Sequence, residues 1–268
     1  VNTNILTKPF ESIETFSWTY LFAFLMAYMI IRSLLIQGSL YLTVTRAECA
    51  KKGRIFKLPF GAGQLKSEFI ATINTIIIDS ILFAALVKLG PNNNIPGNII
   101  FSYLFAFIWF EIWFYVSHRA FHSPALYWIH KQHHVAKVTS PLTAMSFSII
   151  ERVIVITGGV GFLTIVSAFL PLSRNGVTLY LLTNYALNLY GHSNVEIIPP
   201  RFLKNPLGRI LNASTYHALH HARYNGHYGL FTPFMDTFLK SDFNDYLEVQ
   251  SKAYQGDGLT SLGQRIKT

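Results

Sequence analysis

The chain has 268 residues, 51% of them hydrophobic and only 13% charged, against a charged share of roughly a quarter in soluble domains. Its 22 Lys and Arg exceed its 13 Asp and Glu, giving +9, yet these basic residues lie between apolar stretches and form no long tract, which argues for a polytopic membrane protein and against a nucleic-acid binder. A single cysteine, Cys49, excludes an intramolecular disulfide and a cysteine metal cage.

The first stretch, VNTNILTKPFESIETFSW, has no basic region ahead of an apolar core, so no cleavable signal peptide is expected. Residues 18–36 contain one charge, Arg32, over a length that crosses a hydrocarbon core of about 30 Å at about 1.5 Å per residue. The link that follows sets Arg46, Lys51, Lys52, Arg54, Lys57 and Lys66 against Glu48, which predicts the cytoplasmic side. A second span is expected at 69–87, and the turn-forming GPNNNIPG at 90–97 suits the opposite side. A third span, 98–116, is rich in aromatics that read first as an interfacial belt. Apolar blocks at 153–170 and 177–190, separated by PLSRNG, read as a membrane hairpin with both ends cytoplasmic.

No solenoid repeat, low-complexity tract or barrel-like alternation is visible. The expected fold is therefore all-α: about four to five apolar spans, hairpin included, with a cytoplasmic histidine-rich helical cap. One integral membrane domain covers 1–268, with N-terminal spans at 18–116 and a histidine-box region at 117–243 that contains the hairpin at 153–190.

All ten histidines lie between positions 118 and 227. They form HRAFH (His118, His122), HKQHH (His130, His133, His134) and HALHH (His217, His220, His221), with His192 and His227 outside the boxes. On a helix, residues at i, i+3 and i+4 share one face, so each box is predicted to aim its rings at a common point. Uncharged imidazoles gathered this way are good transition-metal ligands, whereas imidazolium ions would repel one another. The boxes together hold more rings than an octahedral ion takes, which implies two metals in a nitrogen shell suited to iron, copper or zinc.

His192, directly after a span, is a further candidate ligand, and His227, in the turn-like NGHYG, reads as a satisfied structural residue. Glu111, two helical turns before His118, is a candidate acceptor for a ligand N–H or a paired buried acid. Asn188 is a candidate weak ligand, and Asp79 and Arg32 are read as solving packing problems inside the membrane. A membrane metal transporter using the same histidines is the non-enzymatic alternative, but transporters hold ligands near mid-membrane, and here the boxes follow the spans.

In order and spacing these boxes resemble the fatty acid hydroxylase and sterol desaturase superfamily over about 109–243. Within it, LNASTYHALHHARYNGHYGLFTPFMD is similar to the last box of C-5 sterol desaturases (lathosterol oxidases), and HKQHH to C-4 methylsterol oxidases. SPLTAMSFSIIE has serine where many relatives carry a further His-Pro, and LKSDF replaces a Phe-Gly-Thr-like close.

The resemblance implies that His118, His122, His130, His133, His134, His192, His217, His220 and His221 hold two iron ions. It also implies that dioxygen is activated there to attack an unactivated lipid C–H bond, giving an alcohol or an alkene. A sterol-like lipid from the bilayer is the implied substrate, with a fatty acyl, sphingoid or alkylglycerol chain as the alternative. The chain has no G-x-G-x-x-G fingerprint and no haem module. Electrons are therefore expected from a partner, and the resemblance implies a cytochrome b5 or ferredoxin type donor with an NAD(P)H reductase. The implied location is the endoplasmic reticulum or bacterial inner membrane, with the site on the cytoplasmic side.

Overall fold

A computed structural model describes residues 16–89 and 98–266; the turn cluster expected at 90–97 and most of the first stretch, where no signal peptide is expected, lie outside the described residues. Among the described residues five long helices dominate: α1 (Trp18–Arg46), α2 (Gln64–Leu89), α3 (Ile99–Phe121), α4 (Ile149–Val166) and α5 (Arg174–Gly191). The first four are long and apolar enough to cross a membrane, and the chain is a multi-pass membrane protein. Among the described residues no strand forms, only isolated bridges such as that between Arg54 and Val195.

The helices outrun the apolar blocks, because helical hydrogen bonding continues past the last apolar residue. α1 reaches Arg46 through a π-helical stretch at Ser33–Gly38, and α3 continues to Phe121, so His118 lies within a spanning helix and not beyond it. In the region expected as a hairpin, α4 starts at Ile149 and α5 ends at Gly191. α5 is the more polar arm, with Arg174, Asn175, Asn184 and Asn188 along it, and is not among the helices apolar enough to span.

Lipid-facing helices are apolar outside and place polar groups inside, where partners satisfy them. On α2, Ile73, Ile77 and Ile81 are exposed, whereas Gln64, Glu68, Thr72, Thr75 and Asp79 are buried. Asp79 accepts two hydrogen bonds from Arg152 of α4, both 2.7 Å. Arg32 stacks on Tyr185, its guanidinium carbon 3.8 Å from the ring centre. Both residues thus solve packing problems within the bundle. Glu68 accepts from Thr143 Oγ1 at 2.6 Å and Ser140 Oγ at 3.0 Å, which ties the loop after the second histidine box to α2. α4 lies close against α3 because Gly158 and Gly159 face Trp113 and Phe110, where a Cβ would collide with either ring.

Over the bundle sits a cap built from α6 (Ser214–Arg223), α7 (Phe234–Phe238), α8 (Tyr246–Gln255) and the loops between them, with α6 packed on both α5 and α8. The link after α1 is pinned to the segment after α5: Ile55 N–H donates to the Asn194 carbonyl at 3.1 Å and Glu196 N–H to that of Gly53 at 2.8 Å. Every residue of α6 is buried, with Ala218 and Leu219 packed among Ile55, Phe56, Val249 and Leu259. A helix carrying three histidines is thus held in the interior of the cap.

Candidate metal centre

Each histidine box sits at or near a helix end. His118 and His122 close α3. HKQHH is not one helix: a single α-turn, Tyr127–His130, gives way to a 3-10 turn, His133–Val135. The expectation of one shared face fails there, because the change to a tighter turn sends His133 one way and His130 and His134 the other. On α6, His217 and His221 lie on one side, with His220 turned toward the other group.

The result is two groups, within each of which one ring nitrogen per histidine lies within 4.8 Å of every other. One group holds His118, His122, His130, His134 and His220, the other His133, His192, His217 and His221. The structure thus brings together all nine histidines singled out in the sequence, and splits the second and third boxes between the two groups. All are buried except His122, which is partly exposed.

Six of the nine rings have Nδ1 fixed by an acceptor. His118 Nδ1–H donates to the Tyr228 carbonyl at 2.8 Å, His133 to Ser146 at 3.2 Å, His192 to Asn188 at 2.8 Å, His220 to Gly226 at 2.7 Å and His221 to Ala136 at 2.8 Å. His130 Nδ1–H donates to Glu151 Oε1 at 2.6 Å. A neutral ring whose proton sits on Nδ1 presents a bare lone pair at Nε2. In the second group, His133 Nε2 lies 3.1 Å from His221 Nε2 and 3.3 Å from His192 Nε2. None of these three nitrogens has a proton to offer the others, so the lone pairs oppose one another. In the first group, His118 Nε2 and His130 Nε2 are buried without any partner. Converging, unprotonated, buried imidazole nitrogens fit a cation, and the donor set suits iron, copper or zinc.

The electrostatics agree with neutral rings. Burial, then repulsion from neighbouring histidines, lowers the proton affinity of His130, His133, His134, His217 and His220 well below the usual range. Burial lowers His122 and His192 to about 4. His221 is likewise held far down by burial. At neutral pH these rings carry no second proton that a metal would have to displace.

The surrounding residues correct several expectations. Glu111 takes no ligand N–H; it accepts from the backbone of Phe231 and Thr232, at 3.1 Å and 2.8 Å, and from Thr232 Oγ1 at 2.7 Å. Two turns before His118 it faces the 230–232 loop, not the rings. Asn188 contributes its backbone carbonyl, not its side chain, to His192. The acid that does meet a ring is Glu151, which sequence reasoning misses. Its signal is SIIE, a capping-box pattern in which Ser148 Oγ accepts from Glu151 N–H at 3.1 Å. His227 is satisfied, as expected: Nδ1–H donates to the Tyr216 carbonyl at 3.0 Å, and Nε2 accepts from Phe243 N–H at 2.9 Å.

The turn after α6 is strained to serve this geometry. Tyr224, with φ 65°, lies in the left-handed region that non-glycine residues seldom adopt, and reverses the chain so that the Gly226 carbonyl reaches His220. A pocket adjoins the second group: His192 and His217 are among its lining residues, with Leu187, Leu211, Leu230 and Phe231.

Residues 103–241, which contain both groups, match the model of the fatty acid hydroxylase family. The chain belongs to that family. Its relatives include the very-long-chain aldehyde decarbonylase GL1-4 of Oryza sativa subsp. indica, 29% identical over 183 residues, 67% of this chain and 26% of that protein. GL1-1 of the same subspecies, also named a very-long-chain aldehyde decarbonylase, is 33% identical over 128 residues, 46% of this chain and 20% of that protein. GL1-7 of Oryza sativa subsp. japonica, of the same name, is 25% identical over 195 residues, 68% of this chain and 30% of that protein. The chain thus spans less than a third of the length of these relatives. No solved structure matches it.

Proposed function

We propose that the protein is a membrane-bound, O2-dependent lipid oxidoreductase in which His118, His122, His130, His134 and His220 hold one iron ion and His133, His192, His217 and His221 a second. The observation that carries this reading is the opposition of His133 Nε2 to His221 Nε2 at 3.1 Å and His192 Nε2 at 3.3 Å, while the protons of all three rings are committed elsewhere. Iron bound there supplies dioxygen activation and hydrogen abstraction from an unactivated C–H bond.

The chain's own residues do the positioning. Five backbone carbonyls and Glu151 hold Nδ1 protons, so that Nε2 faces inward on His118, His130, His133, His192, His220 and His221. Leu187, Leu211, Leu230 and Phe231 give the pocket apolar walls, which suit an alkyl segment and exclude water next to His192 and His217. The relatives' names refer to very-long-chain aldehydes, and with these walls they favour a long aliphatic lipid as substrate. A sterol-like lipid rests on the resemblance of the last histidine box. The basic link at 46–66 favours a cytoplasmic site, within reach of a cytochrome b5 or ferredoxin type donor with its NAD(P)H reductase.

The test is purification with metal analysis, then reconstitution with a reductase and donor and a panel of aliphatic and sterol lipids, with products read by mass spectrometry. Two irons per chain and donor-dependent oxygen consumption are expected, with an oxidised aliphatic product. A single exchangeable ion without turnover would return the reading to a metal-binding or transport protein. Oxidation confined to sterols would reassign the substrate.

A further inference from the structure

Outside the bundle, the cap carries apolar surface that the spanning helices do not account for. Between α5 and α6, Ile197 is 65% exposed, Phe202 46%, Leu207 74% and Ile210 56%. On α7, Phe234 and Phe238 are 69% and 73% exposed and stack on each other with ring centres 6.5 Å apart. The first segment is firmly built. Leu203 and Gly208 are buried beneath it, and a Cβ at Gly208 would collide with the Phe202 backbone. Arg209 N–H donates to the Asn205 carbonyl at 3.1 Å, and Leu207 N–H to Asn205 Oδ1 at 3.0 Å. Its large apolar side chains are therefore held outward by an ordered turn.

Two further observations say what covers them. Residues 197–211 include exposed Arg201, Lys204 and Arg209 and no acidic residue, so cations stand among the apolar side chains. Apolar side chains interleaved with basic ones suit the boundary between acyl chains and anionic headgroups. Both segments also adjoin the pocket. Leu211 and Asn212, which end the first segment, and Leu230 and Phe231, which precede α7, form a continuous part of its lining, joined by a 2.7 Å hydrogen bond from Asn212 N–H to the Phe231 carbonyl. The adjoining wall is the last turn of α5, with Leu187, Asn188 and Tyr190.

We infer that residues 197–211 and α7 rest in the headgroup layer of the bilayer, drawn to anionic lipid, and that the pocket beside them, lined by Leu187, Leu211 and Phe231, takes a lipid chain from the adjoining leaflet toward His192 and His217. The seating stands on exposure and charge alone; the pocket's role in taking substrate rests on the lipid oxidoreductase reading. Lipid drawn from the leaflet keeps its polar end at the surface while its alkyl part enters the apolar pocket.

The experiment places an environment-sensitive fluorophore at L207C, F238C or, as a reference on the C-terminal loop, S261C, each in full-length C49S protein reconstituted into vesicles. Lipids with a nitroxide near the headgroup end of the acyl chain quench it. Severalfold stronger quenching at L207C and F238C than at S261C is expected, and equal quenching at all three overturns the seating. Combining L207C with R201E, K204E and R209E should weaken quenching in vesicles containing phosphatidylserine and leave it unchanged in phosphatidylcholine alone; loss in neither overturns the anionic preference. For the pocket, L211W should raise KM for a long-chain lipid severalfold with iron content retained, and an unchanged KM overturns that role. Strong quenching without any lipid turnover would defeat the oxidoreductase reading and leave the seating intact, whereas full turnover with the L207C and F238C probes in water would do the reverse.

Discussion

The two histidine groups differ in the number of rings and in what lies beside them. The first has five rings, of which His122 is partly exposed and His134 has no partner at Nδ1. The second has four, all buried, three of them fixed through backbone carbonyls and His217 without a partner at Nδ1, and its His192 and His217 meet the apolar pocket. An octahedral ion takes six ligands, so the group with fewer nitrogens and the pocket beside it has more room for reacting molecules. Ligand number and substrate access are thus set against each other across the two groups.

Substitutions can break this contrast. The largest effect is expected from His221→Ala, which removes a ring facing both His133 and His217: loss of one metal per chain by elemental analysis and a fall in turnover of at least about 100-fold. Retention of both metals would refute the division into groups. Next comes Glu151→Gln, which weakens the hold on His130. Losses of about 10–100-fold in metal retention are typical when such an outer partner is removed, and a chelator should strip the five-ring group faster while the four-ring group keeps its ion. His122→Ala should cost less than His221→Ala, about 10-fold in retention, because four rings of its group remain where three remain after the loss of His221.

The smallest effect concerns a histidine outside both groups. Burial lowers His227 to about 3 in the folded protein, against about 6.5 in an unfolded chain. The unfolded state therefore binds the extra proton first, so this contribution to stability is present in full above about pH 6.5 and is lost as pH falls toward 3. Thermal melts of metal-free protein between those limits should show stability rising with pH, and His227→Asn should flatten part of that slope.

Much of the site is legible in the sequence because ligand spacing is local. His118 and His122, or His217 and His221, are four residues apart on a helix and must face one way. The division of HKQHH is not legible, since it depends on whether the chain stays α-helical after His130, and His133 is fixed there by Ser146, beyond the box. Glu151 lies 21 residues from His130, and only folding of the loop between them brings the two together. Glu111 stands out for its place on α3, but periodicity says nothing of a loop 120 residues away. The spans are legible from apolar length, while their ends are not, because hydrogen bonding carries α3 through His118 to Phe121.

Glu111 joins a lipid-facing helix to the wall of the pocket, since it grips Phe231 and Thr232 from within α3. A tilt of α3 that adapted the protein to a thicker or thinner bilayer would therefore pull on Phe231, which shares the lining of the pocket with His192 and His217.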